Sequence, residues 1–219
     1  MKLIDLRKES NNSHLTRLTE LTAWIRDNEV HRNKKNYINL ESTISNFDCF
    51  EILYDKNKIV GFSGLYNNGS FPKNIARSCT RTYYHPDYRC KGLNRARWSE
   101  KYFIPYEVEK AKEKGYDYVF ISIELLIRRR SMIDLVNYLN TNNSTWHKWI
   151  LHPEICNTCR THNDKETFIG INKDVTCWQN ICYANISNTT LPFELPSISI
   201  DEYKKKYNKE QLERIKLLK

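Results

Sequence analysis

The sequence predicts an α/β fold, and three observations predict it. Two β-prone runs, 50–54 and 59–66, face each other across Asp55-Lys56-Asn57-Lys58, which reads as a hairpin. A third β-prone run, 75–84, ends before Pro86, which cannot donate to a sheet ladder, and a helical pattern opens at Gly92 and runs to about 114. Gly115 then stops that helix and leads into 116–123, a strand dense in aromatic and β-branched residues.

The remaining elements follow from the same periodicities. Leu15, Leu18, Leu21, Trp24 and Ile25 recur at helical spacing after Ser13, a fair N-cap, and predict a first helix over 13–28 with a core-facing stripe. A second short helix is expected over 37–47. In the long helix, Leu93, Ala96, Phe103 and Ala111 mark a buried face, while Pro105 removes a ladder hydrogen bond and predicts a bend near Ile104. Residues 131–139 have helical spacing again. Residues 145–151 and 177–183 read as closing strands separated by a long insertion, and Pro192, Pro196 and a basic helix from about Asp201 finish the chain. The 219 residues, 40% hydrophobic and 12% aromatic, suit one globular domain over 1–219, with a core at about 13–151 and an elongated C-terminal insertion and tail over 152–219.

The turn between the third strand and the long helix, Tyr84-His85-Pro86-Asp87-Tyr88-Arg89-Cys90-Lys91-Gly92-Leu93-Asn94, carries the chemistry. Loop N–H groups at a helix N-terminus concentrate partial positive charge, and Arg89 and Lys91 add full charges beside it. That is a cradle for a pyrophosphate.

This segment resembles motif A of the GNAT superfamily of acyl-CoA-dependent N-acetyltransferases, with Pro86, Tyr88, Arg89, Gly92 and Leu93 in step. The resemblance spans 47–151 and is specific around 84–93; Cys90 stands where Gly is frequent and Asn94 where a small residue is usual. It implies a mixed, mostly antiparallel central sheet flanked by helices, and acetyl-CoA or another acyl-CoA as co-substrate. The diphosphate would be held by the backbone of Arg89, Cys90, Lys91, Gly92, Leu93 and Asn94. By the same resemblance, the Tyr84 amide polarises the thioester carbonyl while an acceptor amine attacks it directly. Residues 131–139 resemble, more weakly, a segment that places Ser131 beside the carrier and Tyr138 where a phenol protonates the departing thiolate, although Ser131 and Asp134 depart from the family pattern. A phenol with pKa near 10 stays protonated at neutrality and suits that role. Glu124 and His85 are the candidates for the base that deprotonates the amine.

A mean hydropathy of −0.70 and the lack of an apolar run of about 20 residues predict a protein that does not span a membrane. Residues 1–8 lack the apolar core of a signal peptide, so a cytoplasmic location is expected. The net charge of +9 draws polyanions, either CoA itself or nucleic acid such as DNA or tRNA. Its clusters are 31–35, Arg128-Arg129-Arg130 and Lys204-Lys205-Lys206, with Trp146 and Trp149 as candidate base-stacking rings. Three functions are therefore open: an N-acyltransferase acting on an amine, a GNAT-fold enzyme modifying a base or aminoacyl group of DNA or tRNA, and a non-catalytic nucleic-acid-binding or protein-binding module.

Seven cysteines, an odd count without a secretion signal, argue against a disulfide framework. Cys156-Asn157-Thr158-Cys159 has a spacing that grips zinc when Cys177, Cys182, His152 or His162 completes the set. The favoured reading is no metal, with the thiols free and buried or acting as a redox pair.

Overall fold

The computed structural model describes residues 1–8, 12–28, 44, 46–67, 71–88, 97–124, 129–142, 146–158 and 178–207. Nine strands and four α-helices are formed among them. Strand β1 (Lys2–Asp5) and helix α1 (Asn12–Asn28) precede the hairpin of β2 (Cys49–Asp55) and β3 (Lys58–Tyr66). Strand β4 (Ile75–Tyr84) runs into a 3₁₀ turn (Pro86–Tyr88). A π-helical turn (Ser99–Phe103) then leads into α2 (Ile104–Glu113), followed by β5 (Tyr118–Glu124) and α3 (Arg129–Asn142). Strands β6 (Trp149–Leu151), β7 (Ile155–Asn157), β8 (Trp178–Asn185) and β9 (Ser197–Ile198) close the sheet, and α4 (Ile200–Lys206) follows.

The strands form one sheet in the order β1-β2-β3-β4-β5-β8-β7-β9, with β6 also on β8. Every pairing is antiparallel except β4 with β5, which run parallel because the π-helical turn and α2 carry the chain back between them. The expected mixed, mostly antiparallel sheet is therefore present.

Both faces of the sheet are covered, which is why β2 reads as an almost unbroken apolar run. Phe50, Ile52, Tyr54, Phe62 and Phe120 pack on the side that receives Leu15, Leu18 and Leu21 of α1. Ala76, Val119 and Ile121 face the opposite layer, with Ile104, Val108 and Ala111 of α2 and Met132, Leu135 and Leu139 of α3. Helix α1 begins one residue earlier than its expected cap, at Asn12, so Ser13 lies in its first turn.

The bend expected near Ile104 takes a specific form. Pro105 has no N–H to give back to the preceding turn, and the chain meets this with a wider turn in which the Ile104 N–H reaches Ser99 O. Regular α-helix then starts with the proline in its first turn, where a missing donor costs least. At the other end Gly115, at φ 78°, donates to Lys112 O while Tyr116 N–H reaches Ala111 O. That pair of bonds is the Schellman closure expected of a glycine stop.

Gly61 illustrates how tightly β3 and β4 are joined. A Cβ there would collide with the Tyr83 carbonyl oxygen and lie 2.7 Å from Tyr84 Cδ1, because the tyrosine ring crosses the strand at that point. Gly61→Ala is expected to cost about 1–3 kcal/mol, read by calorimetry as a Tm lower by roughly 3–10 °C.

Candidate functional site

The parallel pairing of β4 with β5 is short. It joins Ile75 to Tyr118, Ala76 to Val119 and Arg77 to Phe120, and no pair is formed beyond. Past that point β4 continues for seven residues, Ser78 to Tyr84, paired to β3 alone, while β5 continues to Glu124 against β8. The two strands thus part into a wedge at the centre of the sheet.

The parting has a local cause. Between Tyr66↔Arg77 and Gly64↔Thr80, β4 spends three steps against two on β3, and Cys79 takes up the extra residue at φ 56°. A bulge bends its strand and increases the twist. A side chain in the left-handed region also costs about 1 kcal/mol or more, so something must hold it there. Glu107 of α2 does: its carboxylate accepts from the Cys79 N–H at 2.7 Å, from Ser63 Oγ at 2.7 Å and from Ser78 Oγ.

Tyr84 ends β4 on the rim of the wedge. His85 N–H bonds to Val60 O at 2.8 Å, so Gly61 and Tyr84 form a non-hydrogen-bonded pair, and the Tyr84 N–H points to the edge away from β3, the side on which β5 lies. The Tyr84 ring stacks on Phe103 and its hydroxyl meets Ser99 Oγ, tying the strand end to the π-helical turn. Burial pushes that phenol well above its ordinary range.

Helix α3 carries Ser131 and Tyr138 seven residues apart, on one side of the helix and both half-buried. Tyr138 lies under the guanidinium of Arg97, whose carbon sits 4.1 Å from the ring centroid. Arg97 in turn lies 3.5 Å from the buried Glu100. The phenol is therefore held beside the start of the helix that follows the proposed cradle. Arg89, Cys90, Lys91, Gly92, Leu93 and Asn94 themselves lie outside the described residues, as does the short helix expected over 37–47 apart from Ile44, Asn46 and Phe47.

His85 and Glu124 occupy different strand ends. The His85 Nδ1 accepts from Asp87 N at 3.3 Å and lies 3.6 Å from its carboxylate, which also holds Lys58 at 3.0 Å. Glu124 is the last residue of β5, with its backbone opposite Gln179 of β8.

Two expectations change. Trp149 is 1% exposed in the core between α3 and the sheet, so it cannot stack a base, whereas Trp146 is 84% exposed. Arg129 spends its guanidinium on Asn180 Oδ1 at 3.2 Å and on the carbonyls of His152 and Pro153 at 3.0 and 3.1 Å. It buttresses the loop after β6 instead of standing out from the surface as part of a cationic cluster. Arg128 lies outside the described residues.

The cysteines divide between the two layers. Cys156 packs with the α1-side core and Cys182 with the α2-side core, so the sheet separates them. Burial pushes the Cys156 thiol up to about 12, and the Cys182 thiol is raised as well. Among the described residues no group of three or more His, Cys, Asp or Glu is placed to hold a metal ion; Cys159, Cys177 and His162 lie outside them. No helix among the described residues is long and apolar enough to cross a membrane.

The sequence reading missed Glu107 and Glu51, both 0% exposed. Each was visible as an acid inside an apolar pattern. Glu107 falls on the stripe of Ile104, Val108 and Ala111, and Glu51 stands between Phe50 and Ile52 on a strand covered on both faces.

The fold of this chain is shared with a solved acetyltransferase of the GNAT superfamily. The chain matches the GNAT-superfamily phosphinothricin acetyltransferase of Sinorhizobium meliloti, solved in complex with AcCoA, with a TM-score of 0.51 at 13% identity over 88% of this chain and 93% of that one. It also matches an acetyltransferase of Streptococcus agalactiae, with a TM-score of 0.49 at 15% identity over 84% and 97% of the two chains. A GNAT-family acetyltransferase of Staphylococcus aureus gives 0.47 at 16% identity over 84% and 98%. No protein-family model matches the chain, and no curated protein does.

Proposed function

We propose that this chain is an acyl-CoA-dependent N-acyltransferase that moves an acyl group, most simply acetyl, from CoA to an amine by direct attack. The observation that carries the reading is the wedge: β4 and β5 part after Arg77 and Phe120, and the turn that leaves β4 has the sequence of a diphosphate cradle. Support comes from the S. meliloti structure of the same fold, which holds AcCoA.

Each residue then has a role. The backbone of residues 89–94 holds the diphosphate at the helix start. The Tyr84 N–H stabilises the oxyanion as the amine adds to the thioester carbonyl. Glu124 or His85 takes the amine proton, directly or through water, and the carbon–nitrogen bond forms as the carbon–sulfur bond breaks. Tyr138 delivers its hydroxyl proton to the leaving sulfur, and Ser131, on the same side of α3, lies against the carrier.

Trp146 favours a second reading, in which the acceptor is a base or aminoacyl group of tRNA or DNA. Its ring is 84% exposed at φ 58°, beside Lys148, in a chain of net charge +9. A non-catalytic module is the third.

One set of measurements separates them. Acetyl-CoA at a hundredfold excess over Kd is expected to stabilise the chain by about 2.7 kcal/mol, a Tm rise on the order of 5–10 °C at this length. Labelled acetyl groups should then appear on an amine of a test panel. A Tm unmoved by acetyl-CoA would leave only the non-catalytic module, while label found on polynucleotide alone would select the second reading.

A further inference from the structure

Glu51 and Glu107 meet in the layer between α2 and the sheet, and both are fully buried. Glu51 lies opposite Ser63 across the β2–β3 ladder, and Ser63 Oγ donates to Glu107, so the two acids enter the same buried layer on either side of that serine. The same Oγ also meets Thr82 Oγ1 at 2.9 Å, and with its own proton on Glu107 it accepts there from the threonine hydroxyl.

The surroundings hold few cations. From α2 and the π-helical turn the groups facing this layer are Tyr106, Lys110 and Glu100; from the strands they are Asp5, Cys49, Cys79 and Tyr84. Lys110 is paired to Glu113 and Arg97 lies against Glu100, and neither Glu51 nor Glu107 has a cation within ion-pair distance among the described residues. Two ionised carboxylates there would cost many kcal/mol.

The hydrogen bonds decide which one keeps the proton. Glu107 accepts three donors, the arrangement of an ionised carboxylate, whereas neither oxygen of Glu51 receives one. Burial and the facing Glu107 push Glu51 well above the ordinary carboxyl range. The same burial raises Glu107, against the pull of its hydrogen bonds from Ser78, Ser63 and the Cys79 N–H.

We propose that Glu51 and Glu107 share a single proton, with Glu51 donating it to Glu107, and that this pair locks the Cys79 bulge and so sets the opening between β4 and β5. Glu107 is a positioning residue: it touches no reacting atom, and it acts through the backbone of β4. The link to the acyl carrier rests on the acyltransferase reading, whereas the shared proton does not.

The pair has a signature in pH. The native chain holds a proton that the unfolded carboxyls release near pH 4.5, so native proton uptake exceeds unfolded uptake above that value. Stability is fully present below the unfolded titration and declines as pH rises toward the native one. Glu51→Gln keeps a donor aimed at Glu107 and removes the titration, so it should flatten that slope.

The test uses the full-length chain and three variants. Infrared spectra near neutrality are expected to show a protonated-carboxyl band in the wild type that vanishes in Glu51→Gln. The Cys79 amide proton, read by NMR, should keep its downfield position in Glu51→Gln and move upfield in Glu107→Gln. Acetyl-CoA affinity should fall about tenfold in Glu107→Gln and in Glu51→Ala, and recover in Glu51→Gln. A band that survives Glu51→Gln, or an Ala variant indistinguishable from the Gln variant, overturns the pair. If the wild type binds no acetyl-CoA, the role at the acyl-carrier cleft falls with the acyltransferase reading, and the band and the amide still decide the shared proton.

Discussion

Gly92→Glu is expected to abolish acetyl-CoA binding while leaving the fold intact. The proposed cradle works by presenting N–H groups and the charges of Arg89 and Lys91 to a diphosphate at a helix start. A carboxylate placed about 4 Å from that diphosphate adds roughly 4 kcal/mol of repulsion at an effective dielectric constant near 20. That is about a thousandfold in affinity, beyond the range of an ordinary titration. The two main cores are built from strands β1 to β8 and from α1, α2 and α3, and α2 has its own start at Pro105 and its own stop at Gly115. Calorimetry with acetyl-CoA and a thermal melt without it separate the two effects; an unchanged affinity would remove the cradle from residues 89–94.

What the sequence made legible follows from where the physics is local. The hairpin of β2 and β3, the end of β4 at Tyr84 and the stop at Gly115 depend on turn chemistry and on apolar runs a few residues long, and all three stand where they are expected. The π-helical turn shows the limit of such reasoning. Pro105 announces a defect, but whether the helix kinks or widens depends on Tyr84, Phe103 and Ser99 meeting at the strand end.

The wedge has no signal within the sequence of β4 itself. Its cause is a register difference between β3 and β4, held by Glu107 from a helix nearly thirty residues further on. No periodicity within β4 reports a partner at that distance. Trp149 was misread for a related reason: a tryptophan in the polar company of His147 and Lys148 looks exposed until α3 is seen to cover it, with Asn140 of α3 bonded to its backbone. Arg129 likewise belongs to a run of three arginines in sequence, and to two carbonyls and an asparagine in space.

Tyr138→Phe is expected to lower kcat about a hundredfold, the lower end of what a positioned general acid contributes, with acetyl-CoA affinity unchanged. The substitution is clean because the ring has a structural task distinct from the hydroxyl. Arg97 lies over the ring face at 4.1 Å, a contact that phenylalanine keeps, so α3 stays docked beside the π-helical turn. Only the proton is lost. As the carbon–sulfur bond breaks, charge builds on the sulfur, and the hydroxyl of Tyr138 is placed to donate its proton there. Without it the thiolate must leave as an anion. A thioester whose leaving thiol is more acidic needs that proton less, so the deficit should shrink with such a leaving group, which a defect in folding or carrier binding would not do. A rate unaltered across the pH range would take Tyr138 out of the chemistry and leave it as Arg97's aromatic support.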